Sequence, residues 1–114
     1  MPETRKIDER MLRQMTDTIV SEVHPEEVIL FGSYAKGLAR EDSDLDLLIV
    51  MPETSETRRY RRRLTGRLYR RLAALPMSKD ILVYTRNEVE QWRDVPGHIV
   101  ATSLNEGRRL YGRR

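Results

Sequence analysis

The stretch Leu30–Val50, LFGSYAKGLAREDSDLDLLIV, decides how this chain is read. It joins an apolar run, VILF at 28–31, to a second one, DLDLLIVM at 44–51, through a segment rich in glycine, hydroxyls and acids. Both runs read as strands, the second stopped by Pro52, and Ser33–Leu38 reads as a short helix opened by Gly32-Ser33. Alternate side chains of a strand share a face. Asp44 and Asp46 therefore point one way, while Leu45, Leu47 and Ile49 point the other way into a core. Two carboxylates held so close repel, and burying them unpaired is costly. Either solvent and nearby arginines on an exposed face compensate, or a hard divalent cation does. Mg²⁺ takes one or two carboxylates and completes its shell with water and phosphate oxygens.

The residues before the acids bear on that choice. A helix N-terminus offers unpaired backbone N–H groups and the positive end of a dipole, which together suit a phosphate. Gly32 lets an anion approach the backbone closely. The Ser33 hydroxyl can cap the helix or bond a ligand. The glycines do not form a Walker A loop. Gly32 and Gly37 have its spacing, but Leu38-Ala39 stand where Lys-Ser/Thr is required.

Around this stretch the chain reads as alternating helices and strands. Residues 5–23 carry apolar positions at helical spacing, with Thr4 as the expected N-cap. HPEE at 24–27 breaks that helix. A long helix is expected over 55–75, with Tyr60, Leu64, Leu68, Leu72 and Leu75 as its buried stripe. KDILVYT at 79–85 reads as a third strand and 87–95 as a short helix, with Trp92 packed. After Pro96-Gly97, residues 98–107 read as a last helix before the tail RRLYGRR. The expectation is an α/β (α+β) fold, a small sheet flanked by helices.

The chain has 114 residues, 39% of them hydrophobic and none of them cysteine. Residues 1–114 are therefore expected to form one small domain. Disulfides, cysteine-based zinc sites and cysteine nucleophiles are excluded. His24 and His98 are the only histidines and lack companions at metal-ligand spacing. No apolar run is long enough to span a membrane, and the first residues lack a signal-peptide core, so a cytoplasmic protein is expected. The net charge is +3 but uneven: Glu41, Asp42, Asp44 and Asp46 precede a segment, 55–71, with eight arginines and Glu56 as its single acid. No aromatic platform accompanies those arginines. They are expected to face solvent or an acidic partner, and direct nucleic-acid binding is not expected.

Gly32-Ser33, then ten residues, then Asp44-Leu45-Asp46 resembles the signature of nucleotidyltransferases with the polymerase beta-like fold. The whole segment GSYAKGLAREDSDLDLLIV looks most like the minimal nucleotidyltransferase domains of prokaryotes. The resemblance implies a mixed sheet and a set of roles. Gly32 and Ser33 would hold the β- and γ-phosphates of ATP. Asp44 and Asp46 would bind two Mg²⁺ ions. Asp80, opening the third strand, would be the third carboxylate and help activate the attacking hydroxyl. Lys36 and Arg40, on the intervening loop, would add positive charge near the triphosphate, and Ser43 would shape the turn into the strand.

Larger relatives carry an added helical domain that grips the acceptor, and this chain has no room for one. The resemblance implies that another chain supplies that grip. The usual companion of minimal nucleotidyltransferases is a helical HEPN-type RNase toxin, which the nucleotidyltransferase neutralises as antitoxin, in some cases by moving AMP to a toxin tyrosine. A hetero-oligomer would follow. Two alternatives stand beside this: a binding-only antitoxin, and a nucleotidyltransferase acting on a small molecule or RNA.

Overall fold

A computed structural model describes residues 7–40 and 42–112. The first helix, α1, is Glu9–Val23. Its cap is Asp8, whose carboxylate accepts a hydrogen bond of 2.8 Å from the Met11 N–H, so an N-terminal donor finds its partner four residues later than Thr4 would have placed it. The expected cap Thr4 and residues 5–6 lie outside the described residues. The helix ends at His24, which adopts the left-handed conformation with φ 53° and returns its N–H to Val20, and Pro25 follows.

Four strands form one sheet: β1 (Glu27–Phe31), β2 (Leu45–Met51), β3 (Lys79–Thr85) and β4 (Arg108–Tyr111), in the order β3-β2-β1-β4. β1 runs antiparallel to both β2 and β4, whereas β2 and β3 are parallel. The sheet is therefore mixed, as expected. A parallel pair needs a crossover. That crossover carries α3 (Ser55–Arg59) and α4 (Arg61–Arg71). The single turn α2 (Ser33–Lys36) lies between β1 and β2, and α5 (Arg86–Trp92) and α6 (Ile99–Glu106) lie between β3 and β4.

Both faces of the sheet are buried. Val28, Leu30, Leu45, Leu47, Ile49, Ile81 and Val83 pack with Leu12, Met15 and Ile19 of α1 and Leu68 of α4. On the other face Ile29, Phe31, Leu48 and Val50 pack with Val89 of α5 and Val100 of α6. The inward direction of Leu45, Leu47 and Ile49 agrees with the sequence reading. The opposite face departs from it: beyond Asp46 that face is a second core rather than a polar surface. Trp92 is packed, stacked on His98 with ring centroids 4.4 Å apart, and His98 also caps α6 by accepting from the Val100 N–H.

Two further expectations are corrected. The helix expected over 55–75 breaks at Tyr60, which ends α3 and begins α4 at φ −109°, ψ 20°. Tyr60 is 37% exposed rather than part of the buried stripe, which is carried by Leu68 and Leu72. The tail contains a strand, β4, that its composition did not announce.

β4 pairs with β1 through its backbone, Arg108 pairs with Glu9, and a buried acid ties it further. The Glu27 carboxylate accepts hydrogen bonds from Arg86 at the start of α5 and from Arg109 of β4, the latter at 2.9 Å. Burial pushes its carboxyl up, but the two guanidinium hydrogen bonds outweigh burial and hold it below its ordinary value. A depressed carboxyl stabilises the fold above its unfolded pKa and loses that contribution as pH falls through the folded one. Glu27→Gln, which keeps the volume, is expected to cost about 2–3 kcal/mol at pH 7. In urea melts, the gap to the unmodified protein should close as pH drops below the ordinary carboxyl value of 4.5. A gap independent of pH would show that the charge is not what holds β4.

Candidate active site

The acids, the glycine and the serine converge at one end of the sheet. β1 and β2 pair so that Phe31 lies opposite Asp46, and β2 and β3 pair so that Asp46 lies opposite Asp80. Residues so paired share a face. Asp46 and Asp80 therefore stand side by side on two adjacent strands, on the face that α5 and α6 cover further along. Asp44 directly precedes β2 rather than lying inside it, and its side chain is exposed.

Gly32 follows Phe31 at φ 75°, ψ −157°, a backbone region open essentially to glycine alone. Its Cα faces Asp46: a β-carbon built there would lie 2.2 Å from the Asp46 Oδ2. The carboxylate thus occupies the space that glycine leaves free. This packing places Asp46 against the turn that opens α2. Gly32 holds the cap position, and no side chain caps the helix, so the expected capping by Ser33 is not what the structure shows. Ser33 is the first helical residue, and the first N–H groups returning to the Gly32 carbonyl are those of Ala35 and Lys36. The N–H groups ahead of them have no partner within the turn.

Electrostatics mark the same place. Burial, then the charge of Asp80, then that of Asp44, push the Asp46 carboxyl up from 3.8 to about 6. Like charges have been brought together, and among the described residues no cationic side chain offsets them. Among the described residues, no three His, Cys, Asp or Glu side chains form a group that could hold a metal ion. Hard carboxylate oxygens in mutual repulsion still fit a divalent cation of the Mg²⁺ kind, which needs only one or two protein carboxylates when phosphate and water complete its shell.

The loop cations are placed differently from one another. Lys36 forms an ion pair of 2.9 Å with Glu106 at the end of α6, with both side chains about half exposed. Arg40 is exposed in the loop; its N–H donates to the Ser43 Oγ at 2.7 Å and its carbonyl accepts from the Ser43 N–H at 3.1 Å. Ser43 thus shapes the turn into β2. Glu106 was not legible as a partner of Lys36, because nothing in a sequence read locally links positions so far apart. Tyr34, next to Ser33, has a buried hydroxyl with no hydrogen-bond partner among the described residues, and burial raises its pKa.

A mixed sheet whose adjacent strand ends present paired carboxylates beside a glycine-serine turn defines a polymerase beta-like nucleotidyltransferase fold. The chain belongs to the nucleotidyltransferase domain family, whose model matches residues 12–110. Among solved structures it resembles a toxin–antitoxin complex crystallised with AMP-PNP, at 20% identity and TM-score 0.58, over 90% of this chain and 74% of that one. It also resembles a mutant MntA–HpeT toxin–antitoxin pair, at 18% identity and TM-score 0.59, over 95% of this chain and 76% of that one. A third similar structure is a Sulfolobus solfataricus chain described as a nucleotidyltransferase, at 23% identity and TM-score 0.57, covering 91% and 82%. At such identities these likenesses establish the fold. No curated protein matches the sequence.

Proposed function

We propose that this protein is a Mg²⁺-dependent nucleotidyltransferase that moves AMP from ATP to a hydroxyl, a tyrosine in the first instance, of a HEPN-type RNase toxin, and so acts as its antitoxin. The observation that carries this reading is the alignment of Gly32, Asp46 and Asp80 on neighbouring strand ends, with Asp44 one residue before β2. The likeness to toxin–antitoxin structures, one of them with AMP-PNP, supports the choice of partner and nucleotide.

In this reading the Gly32-Ser33 turn binds the β- and γ-phosphates through backbone N–H groups and the Ser33 hydroxyl. Asp44, Asp46 and Asp80 would hold the divalent cations. Bound there, such ions would act as Lewis acids that offset charge on the transferring phosphate. The acceptor oxygen forms a bond to the α-phosphorus, the bond between the α- and β-phosphates breaks, and pyrophosphate leaves. Asp80, exposed at the start of β3, would take the acceptor proton. Lys36 can serve the triphosphate only by leaving Glu106, an exposed pair of small energetic value. Arg40 makes no ion pair among the described residues and would add positive charge from the loop.

The decisive experiment is intact-mass measurement of a co-expressed HEPN-type toxin. An adenylyl group that disappears with Asp44→Ala supports the proposal. A second reading is a binding-only antitoxin, in which these carboxylates hold no metal. An unmodified toxin, still neutralised by the Asp44→Ala protein, would establish it. The phosphate role is separable. ATP with Mg²⁺ is expected to raise the melting temperature, since a ligand of the folded state stabilises it by mass action. Ser33→Ala should weaken that binding by about 1–3 kcal/mol, the worth of a hydrogen bond to a charged group. An equal shift in the variant would leave Ser33 without a ligand role.

A further inference from the structure

A second surface lies at the far end of the sheet. Where α3 gives way to α4, a groove of about 400 Å³ opens beside Tyr60. Val23, Met51 and Leu64 provide its apolar side, while Tyr60 and Arg63 stand at its edge. Met51 ends β2 five residues beyond Asp46, so the groove is about 17 Å along the strand from the carboxylates. It also opens among the helices of the opposite face, α1 and α4. It is separate from the candidate active site.

The charge around the groove is unbalanced. Arg58 is paired with Glu53, Arg61 with Glu88, and Arg67 and Arg71 with Glu22. Arg59 and Arg63 make no ion pair among the described residues. Both instead place their guanidinium groups over the Tyr60 ring, at 5.5 and 5.3 Å from its centroid. The helix break leaves this tyrosine exposed with two cations against its ring. A ring with few rotatable bonds, flanked by planar guanidinium forks, is the chemistry of a recognition surface.

We infer that this groove docks an acidic polypeptide segment of a partner protein, with an apolar anchor side chain seated against Val23, Met51 and Leu64 and carboxylates engaging Arg59 and Arg63. Charge complementarity sets the sign of the partner: among the described residues Arg63 in the groove and Arg59 beside it are unpaired against Glu56 alone, so the net charge there is cationic. The apolar side sets its class. A nucleic-acid backbone would satisfy the arginines but gain nothing from Met51 or Leu64. A peptide can place an apolar residue inward and direct its carboxylates toward the arginines in bidentate pairs. The surface anchors a partner independently of the transfer reaction proposed above.

Amide chemical shifts of the full chain, recorded at low salt, test this with three probes: a peptide repeating Glu-Glu-Leu, a polyglutamate of equal length, and oligouridylate RNA. The leucine-bearing peptide is expected to give saturable shifts at Val23, Met51, Tyr60 and Leu64, and to bind more tightly than polyglutamate. The exposed double variant Arg59→Glu/Arg63→Glu should weaken it roughly tenfold or more, and Tyr60→Ala should weaken it too. The stabilisation by ATP and Mg²⁺ should stay unchanged in both variants, which separates failure here from failure of the transferase reading. RNA binding as tight as the peptide at these amides would overturn the proposal in favour of a nucleic-acid surface. No saturable shift with any probe, or an affinity unaltered in the double variant, would overturn it outright.

Discussion

Asp46→Asn is expected to abolish nucleotidyl transfer while making the folded protein more stable. The two effects have one origin. Asp46 is half-buried against Gly32 and faces Asp80 and Asp44; burial, then those two charges, raise its carboxyl to about 6. An acid whose folded pKa lies above its unfolded value opposes folding wherever it is ionised in the fold. The cost is full above about pH 6 and vanishes as pH falls toward 3.8. Solvent screening of a half-buried group reduces it to about 1 kcal/mol. Melts recorded without divalent cations should show the variant ahead at pH 7.5, with the lead shrinking toward pH 4. Transfer should fall by about 10³-fold or more, equivalent to about 4 kcal/mol of transition-state stabilisation. Transfer at the unmodified rate by the folded variant would remove Asp46 from the proposed chemistry.

Gly32→Ala should damage both properties without removing any acid. The backbone there is held at φ 75°, ψ −157°, and forcing a residue with a β-carbon into that region costs about 2 kcal/mol. For a domain of this size that corresponds to roughly 10 °C in melting temperature. The new β-carbon would also meet the Asp46 Oδ2, the mobile end of its side chain. The carboxylate can swing away at little cost in stability, but in doing so it leaves the site. A loss of transfer of about 100-fold is expected from a misplaced carboxylate. Combining Gly32→Ala with Asp46→Asn should cost no more activity than Asp46→Asn alone, because both substitutions act on one group. Additive losses would mean that Gly32 serves the reaction by a separate route.

Gly32, Asp44 and Asp46 were legible because their relationship is local: strand, turn, helix, strand, within a short stretch of chain. Asp80 was legible only through the resemblance, and the parallel register then set it beside Asp46. Burial of both sheet faces had a signal, since Leu47-Leu48-Ile49-Val50 is a continuous apolar run rather than an alternation. β4 had none. Arg108-Arg109-Leu110-Tyr111 is a charged edge strand whose existence depends on Glu27 and on the open side of β1. The break at Tyr60 also lacked a marker, for no glycine or proline stands beside it, and the one glycine of the arginine-rich run, Gly66, lies inside α4.

That last strand has a consequence for how the molecule is made. β1 and β2 are joined by a short connection and can pair early. Arg109, by contrast, reaches Glu27 across 82 positions, and contacts so distant form late because a long loop must close first. Until residues 108–111 have been synthesised, one side of β1 is an unpaired strand edge, able to pair with any other extended chain. The central hairpin therefore stays open on one flank from the completion of β2 until residues 108–111 have been made. Mispairing between neighbouring chains during translation is the characteristic risk of such an edge.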